Sequence, residues 1–241
     1  MSLNVSHNKR PLEPGLKAGI AKRFVQIALT IALQAAIVFL AAGRFDWIWA
    51  WVFLGVGLLG IAVNSMFLLR YNPAIVSERA RSEGMRDWDK VVGGLWAIMY
   101  FVGVLLVAGL DQRLGWTAPF PLVYHIVGAM ALILGGALFS WALISNAYFA
   151  TIARIQEDRG QTVCTSGPYR FVRHPGYIGA IVQSLGVPLM LGSLWAFIPG
   201  GLAALLIIAR TALEDRMLQA ELGGYKDYTQ RVRYRLLPGV W

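Results

Sequence analysis

The chain has 241 residues, 57% of them hydrophobic and only 15% charged, with a mean hydropathy of +0.55; this excludes an ordinary soluble domain and points to an all-α, polytopic membrane protein. A net charge of +9 would suggest nucleic acid in a soluble protein, but no basic–aromatic module surrounds these charges, so anionic lipid headgroups suffice as their partner. One cysteine, Cys164, excludes an intrachain disulfide, and three well-separated histidines give no metal-ligand spacing, so no metal is expected.

In chain order, residues 1–21 are polar, with Pro11, Pro14 and Gly15, and read as an N-terminal segment at the membrane surface. A span needs about 20 apolar residues, and four windows qualify, at about 22–43, 46–69, 91–110 and 122–150. The first is longer than a signal-peptide core. It is therefore read as a retained anchor, although Ala41-Ala42-Gly43 resembles a cleavage site. The loop at 70–90 carries Asn72-Pro73, then Glu78, Arg79, Arg81, Glu83, Arg86 and Asp87. It is read as a solvated connector, with a short interfacial helix as the alternative.

Two shorter apolar runs, about 176–192 and 194–210, follow on either side of a Gly192-Ser193 turn. As thin spans or as a re-entrant hairpin, they return the chain to the side it came from. The organisation expected is thus an N-terminal segment at 1–21, four transmembrane helices over 22–150, and a catalytic region over 151–241 with a membrane hairpin and a tail. Of the 22 Lys and Arg, all but Arg44 and Arg113 fall on one side of this topology. By the positive-inside rule that side is cytoplasmic. Both termini and the polar motifs after residue 150 share it.

Several motifs have plain explanations. Gly55, Gly57 and Gly60 match G-x-G-x-x-G, but they lie inside a span with no βαβ unit around them, and helix packing is the expected role. His125, near the outer end of the fourth span, reads as a satisfied interfacial histidine. Trp47, Trp49, Trp51, Trp116 and Trp195 fit an outer aromatic belt, and at least one of Tyr225, Tyr228 and Tyr234 fits an inner one.

The polar knot Gly167-Pro168-Tyr169 and Arg173-His174-Pro175-Gly176-Tyr177 is different. Proline biases His174 away from helix and suits the first position of the next helix. The free N–H groups at such a helix start can hold an anion, with Arg173 and Tyr169 beside them. Where the hairpin's second arm leaves the membrane stand Arg210, Glu214 and Asp215. Arg210 and Glu214 share a helix face and can form a surface ion pair. The hairpin brings this set close to His174 and Tyr177, which favours a ligand site over an interfacial cap.

These residues, followed by Gly224, Tyr228 and Pro238, resemble the isoprenylcysteine carboxyl methyltransferase family, within a wider group of membrane methyltransferases that includes phospholipid N-methyltransferases. The resemblance covers roughly residues 150–241. It implies a helical membrane enzyme using S-adenosylmethionine at the cytoplasmic edge and a lipophilic small molecule or lipidated peptide as acceptor. By the resemblance His174, Pro175, Tyr177, Glu214 and Asp215 would bind the cofactor and Arg210 would belong to the catalytic region; residue chemistry adds Tyr169 and Arg173 to the cofactor set and gives Glu214 a catalytic role beside Arg210. The second acid is Asp215 where the family has glutamate. Alternatives are phospholipid amine N-methylation, an NADPH-dependent membrane reductase using Arg231, Arg233 and Arg235 for a 2′-phosphate, and a non-enzymatic scaffold.

Overall fold

The computed structural model describes residues 14–71 and 73–241; His7, Asn72 and most of the expected N-terminal segment lie outside the described residues. The first two spans are α1 (Pro14–Ala42) and α2 (Ile48–Tyr71), followed by a short α3 (Pro73–Glu78). The third span is α4 (Asp87–Ile98), a π turn (Met99–Gly103) and α5 (Val104–Leu114) in one run. The fourth is α6 (Leu122–Ser145). A hairpin of α7 (Pro175–Leu191) and α8 (Phe197–Glu221) and a short α9 (Tyr225–Arg231) complete the fold.

Five of these runs are long and apolar enough to cross a membrane. Helix α7, of 17 residues, spans about 25 Å at 1.5 Å per residue, just under a hydrocarbon core of about 30 Å. Leu29, Leu134, Leu202 and Leu205 are exposed on their helices, as side chains facing lipid would be. The hairpin's arms are unequal, because α8 runs eleven residues past the expected end at 210, carrying Glu214 and Asp215 on continuous helix. The fourth span ends at Ser145 rather than 150, and residues 146–174 fold back across the bundle as a long loop with two 3₁₀ turns (Glu157–Arg159 and Gly167–Arg170).

Small residues let the helices approach closely, but not those singled out in the sequence. A Cβ on Gly55, Gly57 or Gly60 would meet nothing within 4 Å, so these glycines do not serve packing within this chain. The close contact is between α6 and α7. A Cβ on Gly128 would lie 2.2 Å from the Met190 nitrogen, and one on Gly179 would lie 2.4 Å from the Gly135 carbonyl oxygen. The α6–α7 seam therefore exists only because these side chains are hydrogen atoms.

The apolar core gathers at one end of the bundle, with Val38 and Phe39 of α1, Leu105 and Ala108 of α5, and Val187, Met190 and Leu191 of α7. Asp111 closes this end by accepting from the Thr117 N–H and hydroxyl and from the Ser193 hydroxyl. His125 is buried, stacked on Trp49 at 4.4 Å, with Nδ1 at 2.6 Å from the Met190 carbonyl. It is a satisfied packing residue. Trp47 is buried and Trp49 is occupied by His125, so neither belongs to a belt; Trp51, Trp116 and Trp195 are exposed. The opposite end of the bundle is hollow.

Candidate functional site

A cavity of about 1310 Å³ opens between α1, α2, the third span, α6, α7 and α8. Its apolar part is walled by side chains such as Ile31, Leu54, Ile61, Tyr100, Phe101 and Leu132. Its polar end carries Tyr169, His174, Tyr177, Arg79, Arg210 and Glu214. Three buried side-chain atoms of the described residues have no hydrogen-bond partner: Asn64 Oδ1, Arg79 Nη1 and Trp96 Nε1. All three residues line this one cavity. Since buried polar groups are normally satisfied, this clustering marks a space shaped for a ligand that has polar atoms of its own.

The floor of the polar end is held by Asp215, whose side chain is wholly enclosed. Its carboxylate accepts from Arg173 Nε at 2.8 Å and Nη2 at 3.1 Å, Arg235 Nε at 2.8 Å, Gln219 at 2.7 Å and the Tyr225 hydroxyl at 3.1 Å. His174 Nε2 stands at 3.3 Å. Arg173 Nη1 donates to the Val232 and Arg233 carbonyls, and the Arg173 and His174 N–H groups donate to the Tyr234 and Arg235 carbonyls. The tail is thereby strapped under the start of α7, and the Tyr228 hydroxyl reaches the Tyr169 carbonyl at 2.7 Å. Burial first, and the Asp215 charge second, push the Tyr225 hydroxyl well above the ordinary tyrosine range. Tyr225 and Tyr228 are thus interior parts of this lock, leaving Tyr234 as the exposed member of the three.

Neighbouring residues on a helix diverge by about 100°, so Glu214 faces the cavity while Asp215 faces the tail. Glu214 accepts a short hydrogen bond from the Tyr177 hydroxyl. The His174 and Tyr177 rings are parallel, with centroids 5.7 Å apart and planes 7° from coplanar. The expected Arg210–Glu214 surface pair does not form among the salt bridges. Arg210 instead closes its fork on Asp89 in the first turn of α4, with Nε at 2.7 Å and Nη2 at 3.0 Å, and Nη2 also donates to the Thr151 carbonyl. Asp89 is completed by the Ala153 N–H at 2.7 Å. Both partners are buried.

Arg79 stands beside this group. Its carbonyl is fixed by the Thr151 hydroxyl at 3.0 Å and by Arg23 Nη1 at 3.3 Å. Its guanidinium lies over the Phe139 and Phe149 rings at 5.7 and 5.5 Å, and it has no carboxylate among its described contacts. Burial, then the repulsion of Arg23 and Arg210, push it down to about 9, which leaves it cationic at neutral pH.

The structure thus brings Tyr169, His174, Tyr177, Arg210 and Glu214 to one cavity wall, and it places Asp215 and Pro175 behind that wall. Arg173 reaches the wall, but all three of its guanidinium nitrogens are already engaged. The helix start expected to hold an anion is partly used as well, since the Tyr177 N–H bonds the His174 carbonyl and Gly176 is packed against the Phe149 ring. Asp89 and Arg79 escaped the sequence reading. The signal for Asp89 was an acid at the mouth of a span, where an ionisable group asks for a partner. Arg79 was hidden in a charged loop that resembled a solvated connector. Among the described residues, no three His, Cys, Asp or Glu side chains converge as a metal site.

Residues 123–223 match the sequence profile of the phospholipid methyltransferase family. Protein-S-isoprenylcysteine O-methyltransferase B of Arabidopsis thaliana is 28% identical over 136 residues, covering 55% of this chain and 65% of the relative. Its A counterpart is 30% identical over 92 residues, covering 38% and 43%. The cobalt-zinc-cadmium resistance protein CzcN of Cupriavidus metallidurans is 30% identical over 141 residues, covering 57% and 60%. The chain therefore spans between 43% and 65% of the length of these relatives. The profile match runs from α6 to the end of α8, through both polar sets, so the methyltransferase resemblance carried by the motifs is the one that the comparisons also find.

Proposed function

We propose that the protein transfers a methyl group from S-adenosylmethionine to a lipophilic acceptor taken from the bilayer at the cytoplasmic membrane face. Carboxyl O-methylation of an isoprenylcysteine-like substrate is the reaction favoured. One observation carries this reading: a single cavity joins an apolar chamber of membrane-facing helices to a polar end built from the two motif sets. The distribution of 20 of the 22 Lys and Arg supports the cytoplasmic side.

The donor set fits the cofactor's chemistry. Glu214 suits an ammonium or a ribose diol, and the paired faces of His174 and Tyr177 suit an adenine or a sulfonium by stacking and cation–π attraction. Tyr169 lines the same wall. When bound, the cofactor would supply an electrophilic methyl group. The chain's own part is to orient, enclose and desolvate the acceptor. Asp215 and Arg173 act from behind, fixing His174 and the tail. Arg210 and Asp89 tie α8 to α4, and Arg210 lies over the Tyr177 ring at 5.5 Å, setting that ring's position.

A carboxylate acceptor is ionised at neutral pH and needs no base. A phospholipid amine must first lose a proton. Glu214 is the one acid among the cavity-lining residues, and with the profile match over 123–223 it supports amine methylation as the second reading. The reductase reading is disfavoured, because Arg235 is engaged by Asp215 while neither Arg231 nor Arg233 lines the cavity.

Calorimetry in detergent with S-adenosylmethionine and with NADPH, followed by labelled-methyl transfer to an S-farnesyl cysteine, tests the proposal. Binding of the first cofactor alone and label on the acceptor are expected. His174→Ala, Tyr177→Ala and Glu214→Ala should each weaken cofactor binding. Binding of NADPH instead, or of neither, refutes the proposal.

A further inference from the structure

We infer that Arg79, rather than Arg210, grips the anionic end of the acceptor, so that the cavity takes an amphiphile with a long apolar body and a terminal carboxylate. The apolar body rests on the acceptor reading above; the anion subsite does not, since it follows from charge and packing alone.

The cations on the cavity wall are spoken for with few exceptions. Arg173 is neutralised by Asp215, Arg210 by Asp89, and Arg154 by Glu78 and Asp158. Arg23 donates to the Gln26 side chain and to the Arg79 carbonyl. Arg79 has no acid partner among the described residues, and its Nη1 is enclosed and unsatisfied. An enclosed cation without a counter-charge is costly, and the cost is relieved if a ligand brings the anion. A guanidinium presents a planar fork that matches a carboxylate.

Location fits this role. The Thr151 hydroxyl holds the Arg79 carbonyl, while the Thr151 carbonyl holds Arg210. Arg79 is thereby kept near Arg210 and Tyr177. The guanidinium rests against the packed pair of Phe139 and Phe149 rings. From there the cavity continues into its apolar wall, where Asn64 Oδ1 and Trp96 Nε1 are the other two unsatisfied atoms. An isoprenyl or acyl chain there, with its carboxylate at Arg79, would lie against both regions.

The test is equilibrium binding to the full chain in detergent, with N-acetyl-S-farnesyl-cysteine and its carboxamide as probes and no cofactor present. The acid should bind about tenfold to a hundredfold more tightly than the amide, the range expected for losing one charge-assisted contact. In Arg79→Met the preference should fall to near unity, and Arg79→Lys should restore part of it. The ligand-free melting temperature of Arg79→Met should be unchanged or higher, because an uncompensated cation has been removed; a fall would indicate a structural role and overturn the proposal. S-adenosylmethionine affinity should be unchanged in Arg79→Met; its loss would assign Arg79 to the cofactor's carboxylate and overturn the proposal. Equal binding of acid and amide by the unmodified protein also overturns it, whether or not methyl transfer occurs. Acid-selective binding through Arg79 without methyl transfer would uphold this subsite and refute the proposed reaction.

Discussion

Replacing Asp215 by asparagine keeps the shape of the side chain and removes its charge. The residue is wholly enclosed and faces two guanidinium groups, Arg173 with 6% of its side chain exposed and Arg235 with 27%. Breaking a buried pair by removing one partner costs about 3–5 kcal/mol, because the remaining charge stays buried. Most of this falls on Arg173; the partly exposed Arg235 contributes under about 1 kcal/mol once screening is counted. For a chain of this size each kcal/mol shifts the midpoint by about 2–4 °C, so a drop of roughly 6–20 °C is expected. Thermal unfolding in detergent, followed by tryptophan fluorescence, measures it. Limited proteolysis reports the tail, which should become cleavable between 222 and 241 as its strap loosens. Combining Asp215→Asn with Arg173→Met should cost less than the sum of the two, since residues sharing one network are not additive. A melting point within about 2 °C of the unmodified protein, with the tail equally protected, would refute the idea that Asp215 is a buried counter-charge rather than a ligand contact.

Asp89→Asn should destabilise by about 3–5 kcal/mol on the same logic and lower turnover, because Arg210 loses the partner that fixes it over Tyr177; unaltered melting would count against it. Gly179→Ala forces a methyl into the Gly135 carbonyl, 2.4 Å from the ideal Cβ, and overpacking of this kind costs about 1–3 kcal/mol, read by the same thermal assay. Tyr225→Phe loses a hydrogen bond to a buried carboxylate, about 1.5–3 kcal/mol at neutral pH. Because the folded protein holds the Tyr225 hydroxyl above its ordinary value, that contribution is full below about pH 10 and is lost as the pH rises beyond it. The stability gap between the two proteins should therefore shrink above pH 10, and a gap independent of pH would show that the hydroxyl is not the group involved.

Hydropathy alone pointed to a helical membrane protein and to the rough position of its long apolar helices, since a bilayer demands long apolar runs, but it ended the fourth run five residues late and the last one eleven residues early. Local chemistry also announced the two polar sets, because His174-Pro175 opens a helix and Arg210, Glu214 and Asp215 crowd one turn. What each of these groups faces was decided by tertiary structure. Adjacent acids on a helix point apart, and only the packed tail shows that Asp215 serves Arg173 and Arg235 while Glu214 meets Tyr177. Asp89 and Arg210 are 121 positions apart, and no spacing rule reaches across such a gap. Glycine content did not reveal which glycines pack, as Gly128 and Gly179 sit in the α6–α7 seam and Gly55, Gly57 and Gly60 do not. Arg79 belongs to a loop that looks solvated when written out. Only the fold sets its guanidinium against a pair of packed phenylalanine rings, where a charge without a partner becomes informative.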